Sequence, residues 1–436
     1  MPRPMRYPSA DADRRLELIR ARRLGADPAL EQQVRDILAR VKDAGDEALL
    51  DYTRRFDAPE ITLDGLTVTA AELDAARSQV DEPFLAVLRQ AIANITAFHR
   101  QQLRPSWFDT RDDGTLLGQM VRPVSSAGLY IPGGQGGATP LISSVLMNAI
   151  PATIAGVGDL ALVTPPRRDG TINPFLLAAA AEVGVTRIHK LGSAWAIAAL
   201  AYGTASVKPT AVIVGPGNIY VALAKKLVAG EVGIDLLAGP SEILVIADTD
   251  ANPAYLAADL LSQAEHDPMA SAVLVTTSVK VAEAVRSELA MQLESLPRSD
   301  IARNSLNRYG ALFTVDDLEQ ALELANRIAP EHLELQVRDP WGLLPKIRHA
   351  GAVFLGANTP EAVGDYFAGP NHVLPTAGTA RFASALSVDN FLKKTSVVAY
   401  SRTALERDAE AICRLARLEG LDAHAASVAI RVRPAP

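Results

Sequence analysis

Residues 241–277 read SEILVIADTDANPAYLAADLLSQAEHDPMASAVLVTT, and the pattern of apolar residues in this segment indicates the fold class. Its two ends, SEILVIAD at 241–248 and SAVLVTT at 271–277, are short apolar runs with many β-branched residues, which is typical of buried strands. The segment between them, 252–265, has the apolar spacing of a helix. A strand, a helix and a second strand in this order predict a parallel sheet whose strands are joined by crossover helices.

The same alternation continues on both sides of this stretch. Predicted strands upstream are GLYIP (128–132), DLALVT (159–164), RIHKL (187–191) and AVIVG (211–215), and those downstream are ALFTV (311–315), LELQV (333–337) and AVFLG (352–356). Helices are predicted downstream at 279–294, 316–327 and 340–348. We therefore predict an α/β protein with two similar Rossmann-like halves, at 118–235 and 236–386, each a parallel sheet with crossover helices.

Two further regions flank these halves. Residues 1–117 form a predicted N-terminal helical region, in which Val34, Leu38 and Val41 recur at helical spacing and Thr69 with Glu72 gives a capping-box signature. Residues 387–436 form a predicted C-terminal arm with helices at 403–418 and 422–431. This arm has too little apolar surface to be a domain, so we expect it to pack on its own chain or on a neighbouring subunit.

Composition excludes several classes of protein. The chain has 436 residues, of which 48% are hydrophobic and 21% charged, and this is ordinary globular composition. Its net charge of −7 gives no basic field for a nucleic-acid partner, and no apolar run reaches the roughly 20 residues that cross a bilayer. A single cysteine, Cys413, and a start without an apolar signal segment predict a cytoplasmic location.

Glycine-rich turns follow two of the upstream strands, IPGGQGG at 131–137 and GPGN at 215–218. Backbone N–H groups in such turns can bind an anion, and Asn218 can cap the following helix. Neither turn contains the GxGxxG fingerprint, so plain tight turns explain them at least as well and nucleotide binding stays open. The turn AGPSE at 238–242 presents Ser241, which could contact a substrate or cap a helix.

Polar residues with catalytic or ligand chemistry concentrate in the second half and the arm. Gln263 and His266 are three positions apart and share one helical face, so together they could bind a divalent metal. Glutamine is an uncommon metal ligand, however, and such pairs are usually surface or cap features. Glu331 and His332 are adjacent at the start of a predicted strand, where they are either an acid–base pair with two separate roles or a solvated loop pair. Other candidates in these regions are Asp365, His372, Glu419 and His424.

At these residues the sequence resembles the histidinol dehydrogenase family, and the resemblance covers nearly the whole chain. The matching stretches, in the family's order, are GLYIPGG, SSVLMNAIPA, GPGNIYVALAK, IDLLAGPSEILVIAD, LLSQAEHDP, APEHLEL, DYFAGPNHVLPTAGTAR and EGLDAHAAS. Members of this family oxidise L-histidinol to L-histidine through the aldehyde with two NAD molecules. They are homodimers in which the C-terminal arm reaches into the partner's site.

The resemblance implies a role for each matching position. The implied zinc ligands are Gln263, His266, Asp365 and His424, and the implied acid–base residues are Glu331 and His332. The implied substrate contacts are Ser241, His372 and Glu419 together with His332 and the zinc ligands, and the implied NAD contacts are Tyr130 and Asn218. The expected cofactors are therefore Zn²⁺ and NAD, and the expected partners are L-histidinol and a second copy of the chain.

The sequence departs from the family's pattern at two places. Trp195 stands where the family usually has a glutamine that contacts NAD, so this residue either stacks or fills core. The stretch QGGATPLI, at 135–142, is longer than in many members and could reshape the nucleotide side.

Two alternatives remain at the level of sequence. One is a zinc- and NAD-dependent dehydrogenase of another small alcohol on the same scaffold, which would be expected to lose the imidazole-binding groups that this chain keeps. The other is a catalytically silent two-lobed binding protein, which has no need of Glu331 and His332 beside a set of metal ligands.

Overall fold

The computed structural model describes residues 1–22, 28–133 and 140–433. The strands are β1 (Pro4–Arg6), β2 (Trp107–Thr110), β3 (Leu116–Pro123), β4 (Ala127–Tyr130), β5 (Leu160–Thr164), β6 (Arg187–Lys190), β7 (Val212–Val214), β8 (Gly233–Ile234), β9 (Glu242–Ala247), β10 (Ser271–Thr276), β11 (Ala311–Thr314), β12 (His332–Gln336), β13 (Ala352–Leu355) and β14 (Leu392–Ala399). The helices are α1 (Ala10–Arg20), α2 (Pro28–Ala44), α3 (Asp46–Phe56), α4 (Ala70–Ser78), α5 (Glu82–Arg100), α6 (Ile142–Ala155), α7 (Pro174–Glu182), α8 (Ser193–Tyr202), α9 (Ile219–Val228), α10 (Pro253–Ala264), α11 (Val279–Leu293), α12 (Ser299–Tyr309), α13 (Leu318–Ile328), α14 (Pro340–Leu343), α15 (Glu361–Tyr366), α16 (Arg402–Leu418) and α17 (Asp422–Val432).

Two parallel sheets form the body of the protein, as the alternation of strands and helices predicted. The first has the order β6-β5-β4-β7-β8 and the second β1-β11-β10-β9-β12-β13. Every strand pair in both sheets is parallel. This confirms the predicted α/β fold class with two sheets and crossover helices.

Strand β9 lies inside the second sheet, and its side chains alternate between two cores. Leu244 and Ile246 belong to the apolar cluster that includes Leu16 of α1, whereas Val245 belongs to the cluster that includes Leu260 of α10. Because successive side chains of a strand point to opposite faces, an uninterrupted apolar run is what a sheet covered on both faces requires. The run SEILVIAD is such a segment.

A third sheet was not predicted. Strands β14, β3 and β2 form an antiparallel sheet in that order, in which Leu392 pairs with Pro123 and Ala399 with Leu116. This sheet and helices α16 and α17 make a second compact unit of residues 103–123 and 392–436, while residues 1–102 and 124–391 make the first. The predicted boundary at 117/118 falls inside β3, because most side chains of this strand are only partly buried and it lacks the continuous apolar run on which the prediction rested.

The N-terminal segment also differs from a purely helical region. Strand β1 adds to the edge of the second sheet beside β11, with Met5 paired to Phe313. Helix α1 then contributes Leu16 and Ile19 to the core of that sheet. Among the described residues, no helix is both long and apolar enough to cross a membrane.

Candidate active site

The backbone N–H and carbonyl of Glu242 contact the two predicted acid–base residues. Glu242 begins β9, His332 begins the neighbouring strand β12, and His332 pairs in register with Ile243. The Glu242 N–H donates to Glu331 Oε2 at 2.8 Å, and the Glu242 carbonyl lies 2.9 Å from His332 Nδ1. Since a carbonyl oxygen can only accept, Nδ1 carries the proton and Nε2 of the neutral ring has a free lone pair.

Burial sets the protonation of this pair. Both side chains are buried, and burial lowers the pKa of His332 below its usual value while it raises the pKa of Glu331 well above that of an ordinary carboxyl. His332 Nε2 has no hydrogen-bond partner within the described parts of the chain. The imidazole is therefore a neutral base with an open acceptor atom.

A cluster of ligand-type side chains lies beside His332. His266, Glu361 and Asp365 each offer a ligand atom, and these atoms all lie within 4.8 Å of one another. His332 Nε2 is 3.6 Å from Glu361 Oε1 and 3.9 Å from Asp365 Oδ1. The structure thus brings together four residues from three regions of the chain, namely His266, His332, Glu361 and Asp365. All of them except Glu361 were candidates from the sequence.

Gln263 lies at the end of α10, three residues before His266, and the His266 N–H donates to the Gln263 carbonyl at 3.2 Å. Its side chain is buried, yet its Oε1 atom has no partner among the described residues. A buried acceptor without a donor is costly unless something binds it. This amide oxygen is one further atom that a cation could use.

Glu361 was missed by sequence reasoning. It is the first residue of α15 and lies one turn before Asp365, so the two carboxylates share a face of that helix. Its Oε2 accepts from Ser262 Oγ at 2.9 Å, and its backbone N–H donates to Glu334 Oε1 at 3.0 Å. The spacing of four residues between Glu361 and Asp365 is the signal that could have identified it.

The pKa values of both carboxyl groups, those of Glu361 and Asp365, are raised above their usual values. Burial raises the pKa of Glu361 to about 7, and burial together with the Glu361 charge raises the pKa of Asp365 to about 6. A divalent cation would offset both the burial cost and the mutual repulsion of these groups. Imidazole nitrogen with carboxylate and amide oxygens is a donor set that zinc accepts, so the residues present fit a zinc ion.

The predicted NAD contacts lie at the carboxyl edge of the first sheet. Tyr130 ends β4, and its buried hydroxyl accepts from the Ser193 N–H at 3.1 Å. Asn218 caps α9, because its Oδ1 accepts from the N–H groups of Tyr220 and Val221 at 3.1 and 3.2 Å. Carboxyl edges of parallel strands are where α/β proteins bind nucleotides.

The turn between these residues needs glycine. Gly215 has φ +114°, and a Cβ there would lie 2.1 Å from the Tyr130 carbonyl oxygen. The Gly215 N–H donates to Asp235 Oδ2 at 2.8 Å, while Lys225 Nζ donates to the Gly215 carbonyl at 2.9 Å and pairs with Asp235. This buried ion pair fixes the turn from both sides.

Trp195 is a core residue in this chain. Only 4% of its surface is exposed, and its ring stacks on those of Tyr52 and Phe56 with both centroid distances at 5.6 Å. It therefore both stacks and fills core. The predicted longer segment at 135–142 lies mostly outside the described residues, which resume at Pro140.

The proposed substrate contacts are divided between the two units. In the first unit, Ser241 directly precedes β9, and His372 Nε2 lies 3.2 Å from Ser143 Oγ, with burial lowering the pKa of His372 to about 4. In the second unit, Glu419 caps the end of α16 and His424 lies in the first turn of α17, and both side chains are exposed.

The class of protein follows from what the two sheets carry. Oxidation of an alcohol needs a base for the hydroxyl proton and an acceptor for the hydride. The second sheet carries a neutral, buried imidazole beside a metal-type cluster, and the first sheet has a glycine turn at its carboxyl edge, the edge at which α/β proteins bind nucleotides. These features define a two-sheet α/β dehydrogenase.

Comparison with known proteins gives the family. The sequence profile of histidinol dehydrogenase matches residues 20–432. Histidinol dehydrogenase of Desulfotalea psychrophila is 57% identical over 430 residues, which are 99% of each chain. That of Bacillus subtilis is 54% identical over 410 residues, covering 93% of this chain and 95% of its own. The crystal structure of histidinol dehydrogenase from Elizabethkingia anophelis has a TM-score of 0.92 at 36% identity and covers 99% of this chain and 98% of its own.

The chain belongs to the histidinol dehydrogenase family, whose members are NAD-dependent oxidoreductases of histidine biosynthesis. The predicted family and enzyme class are confirmed. The alternative of another small alcohol has no support among these relatives.

Proposed function

We propose that the chain oxidises L-histidinol to L-histidine through L-histidinal, with two molecules of NAD. The observation that carries the proposal is the backbone of Glu242, whose N–H and carbonyl hold a carboxyl and an imidazole side by side at the start of two paired strands. Such a pair gives one chain the two proton-transfer groups that two successive oxidations need.

His332 is the proposed base of the first oxidation. Its Nε2 lone pair takes the hydroxyl proton of histidinol as the carbon loses hydride, and the bond from Nδ1 to the Glu242 carbonyl keeps that tautomer in place. The lowered pKa keeps the ring neutral before the reaction. NAD, when bound, accepts the hydride and leaves the aldehyde.

Glu331 is the proposed base of the second oxidation, in which the aldehyde must first add water. Its Oε2 is held by the Glu242 N–H, and Oε1 is the atom left to take a proton from that water. The raised pKa favours the protonated form of Glu331, so the side chain must lose its proton before it acts, and the carboxylate then formed is a stronger base than an exposed glutamate. The hydrate then loses the second hydride and becomes the carboxylic acid.

Zinc is the proposed metal, held by Gln263, His266, Asp365 and His424. A bound zinc would anchor the imidazole and amine of the substrate and so keep the aldehyde in place between the two oxidations. Glu361 lies in the same cluster and is a candidate for a ligand or a neighbour of one. Ser241, His372 and Glu419 are the proposed further substrate contacts, and Tyr130 and Asn218 the proposed NAD contacts.

The proposed active form is a cytoplasmic homodimer, with no nucleic-acid partner, in which the arm supplies His424 and Glu419 to the partner's site. The domain limits of 1–117, 118–235, 236–386 and 387–436 remain our functional division, with the arm exchanged. Two leucines of the arm, Leu415 and Leu418, lie one turn apart on α16 and are 65% and 76% exposed, so their side chains are available to contact another surface.

The test is the absorbance of reduced cofactor after L-histidinol and NAD are added to the purified protein. Two equivalents of NADH per histidinol, with histidine as product, are expected. NADH formed only with another small alcohol would contradict the proposed substrate, and no NADH with any alcohol would contradict the proposed reaction.

A further inference from the structure

The side chain of Glu242 makes a contact of its own, separate from the backbone contacts with Glu331 and His332. The carboxylate is buried and forms an ion pair with Arg22, whose Nη2 lies 2.6 Å from Glu242 Oε1. Arg22 is only 5% exposed. The residue that holds both proposed acid–base groups through its backbone is thus held by a buried cation through its side chain.

Arg22 uses all three guanidinium nitrogens. Nε donates to the Ile19 carbonyl at 2.9 Å, and Nη1 donates to the Met269 carbonyl at 2.7 Å. The guanidinium also lies over the ring of Tyr309, with its carbon 5.3 Å from the centroid. Arg22 therefore fixes the start of β9 against the end of α1 and against the segment that enters β10.

A buried ion pair is a poor device for stability alone. Removing two charges from water costs several kcal/mol, and apolar residues of the same size are often as good or better. What a planar guanidinium adds is direction, because its donors are fixed in one fork. An ion pair whose carboxylate partner also positions two reactive groups suggests a role in geometry.

We propose that Arg22 is a positioning residue for the acid–base pair and acts through Glu242. The proposal rests on the proposed function of Glu331 and His332. While Arg22 anchors the Glu242 side chain, the backbone N–H of Glu242 stays 2.8 Å from Glu331 Oε2 and its backbone carbonyl stays 2.9 Å from His332 Nδ1. Without the anchor, the start of β9 keeps its pairing with Ser271 of β10 but loses its tie to α1, and we expect both contacts to lengthen together.

The test compares Arg22→Met with Arg15→Met. Arg15 is a matched control, since its Nη1 donates to the carbonyls of Asn307 and Arg308 at 3.2 and 2.7 Å and so ties α1 to α12 without contacting Glu242. The measurements are kcat and KM for histidinol and for histidinal, the melting temperature and the zinc content after reconstitution.

Arg22→Met is expected to lower kcat for both oxidations by about 10- to 100-fold, since misplacement of a reactive group by about 1 Å has effects of this size. The KM values should stay within about threefold and the zinc content should not change. Arg15→Met is expected to lower the melting temperature but to keep kcat within about twofold. Arg22→Lys, which keeps the charge but not the fork, should fall between wild type and Arg22→Met.

Equal losses of kcat in Arg22→Met and Arg15→Met would overturn the proposal, because they would reflect general loosening of α1. A raised KM at unchanged kcat would also overturn it. If Arg22→Met does not fold, the comparison of Arg22→Lys with Arg15→Met decides in the same terms. Wild-type protein that reduces no NAD with histidinol would instead contradict the proposed function, so the two failures are distinguishable.

Discussion

Glu331 and His332 both contact the backbone of Glu242, and we propose a different proton-transfer role for each. Glu331 is bound at Oε2 and His332 at Nδ1, and His332 Nε2 has no hydrogen-bond partner among the described residues, so Glu331 Oε1 and His332 Nε2 are the atoms to which we assign proton transfer. Only the second oxidation adds water. We therefore expect the two residues to be separable by mutation.

His332→Asn should nearly abolish oxidation of histidinol, whereas Glu331→Gln should mainly slow oxidation of histidinal. Each loss should be about 10²- to 10⁴-fold, the usual contribution of a general acid or base. The measurement is kcat of each variant with each substrate, after a check that both variants keep the wild-type melting temperature. Equal losses on both substrates in both variants would refute the division of labour.

Asp57 provides a residue-scale test of stability. It follows α3, its Oδ2 is buried without a partner among the described residues, and burial raises the pKa of its carboxyl to about 7. An unfolded aspartate ionises near pH 3.9, so folding is opposed increasingly as the pH rises from about 4 to 7.

Asp57→Asn should therefore stabilise the protein at about pH 8, by up to about 4 kcal/mol for a shift of about three pH units, and the gain should vanish near pH 4. Thermal unfolding of both proteins across this range is the measurement. The same difference at every pH would show that the carboxyl does not titrate as described.

Helix α9 carries a residue with two separable roles. The side-chain oxygen of Asn218, Oδ1, caps the helix, and this leaves the side-chain nitrogen, Nδ2, for the proposed NAD contact. Asn218→Asp keeps a capping oxygen but loses the amide donor, whereas Asn218→Ala loses both.

We expect Asn218→Ala to lose about 1 kcal/mol of unfolding free energy and Asn218→Asp to lose little. Both should raise the KM for NAD about tenfold, which corresponds to one hydrogen bond of about 1.4 kcal/mol. Unfolding curves and NAD titrations measure the two effects independently. An unchanged KM in Asn218→Asp would remove Asn218 from the NAD site.

The elements that were predicted from sequence are those whose pattern is set by burial. All nine predicted strands of the two parallel sheets are present within two residues of their predicted ends, because strands covered on both faces are continuous apolar runs. Strands β2 and β14 were missed because most of their side chains are exposed, so neither forms a continuous apolar run.

Local sequence patterns predicted only some residues of the candidate site. Glu331 and His332 are adjacent in the chain, so a single segment reveals them. The role of Glu242 depends on the pairing of β9 with β12, and that of Glu361 on the fold of α15 over His332, neither of which local sequence encodes. Short-range patterns indicate candidate reactive residues, whereas the residues that hold those candidates in place are brought together by long-range contacts.

On the scale of the whole molecule, the metal is expected to act on both activity and assembly. The proposed ligand His424 lies in the second unit, whereas His266 and Asp365 lie in the first. If His424 comes from a partner chain, zinc binding and dimer formation are linked, so zinc should strengthen the dimer.

Chelation should therefore lower activity and raise the dimer dissociation constant, and added zinc should restore both. Sedimentation at several protein concentrations measures the second effect. Full activity in a sample shown to be free of divalent metal would contradict the proposed metal site.

Shared sites can be tested by mixing two inactive chains. A hybrid of His332→Asn and His424→Ala chains would contain one site with both residues intact, so co-refolded mixtures should recover activity up to about a quarter of the wild-type level, the share of intact sites in a random mixture. Hybrids separated by a tag on one chain provide the measurement. Demonstrated hybrids without activity would mean that each arm serves its own subunit.

The antiparallel sheet has a consequence for synthesis of the chain. Strand β3 leaves the ribosome about 270 residues before β14, its partner, is made. At ribosomal rates of roughly 5 to 20 residues per second, β3 waits between about 15 and 50 seconds with only the short β2 beside it. A two-stranded ribbon of this kind is marginal in water, so each nascent chain exposes an unpaired edge during most of its translation, and a stalled ribosome would leave it exposed indefinitely.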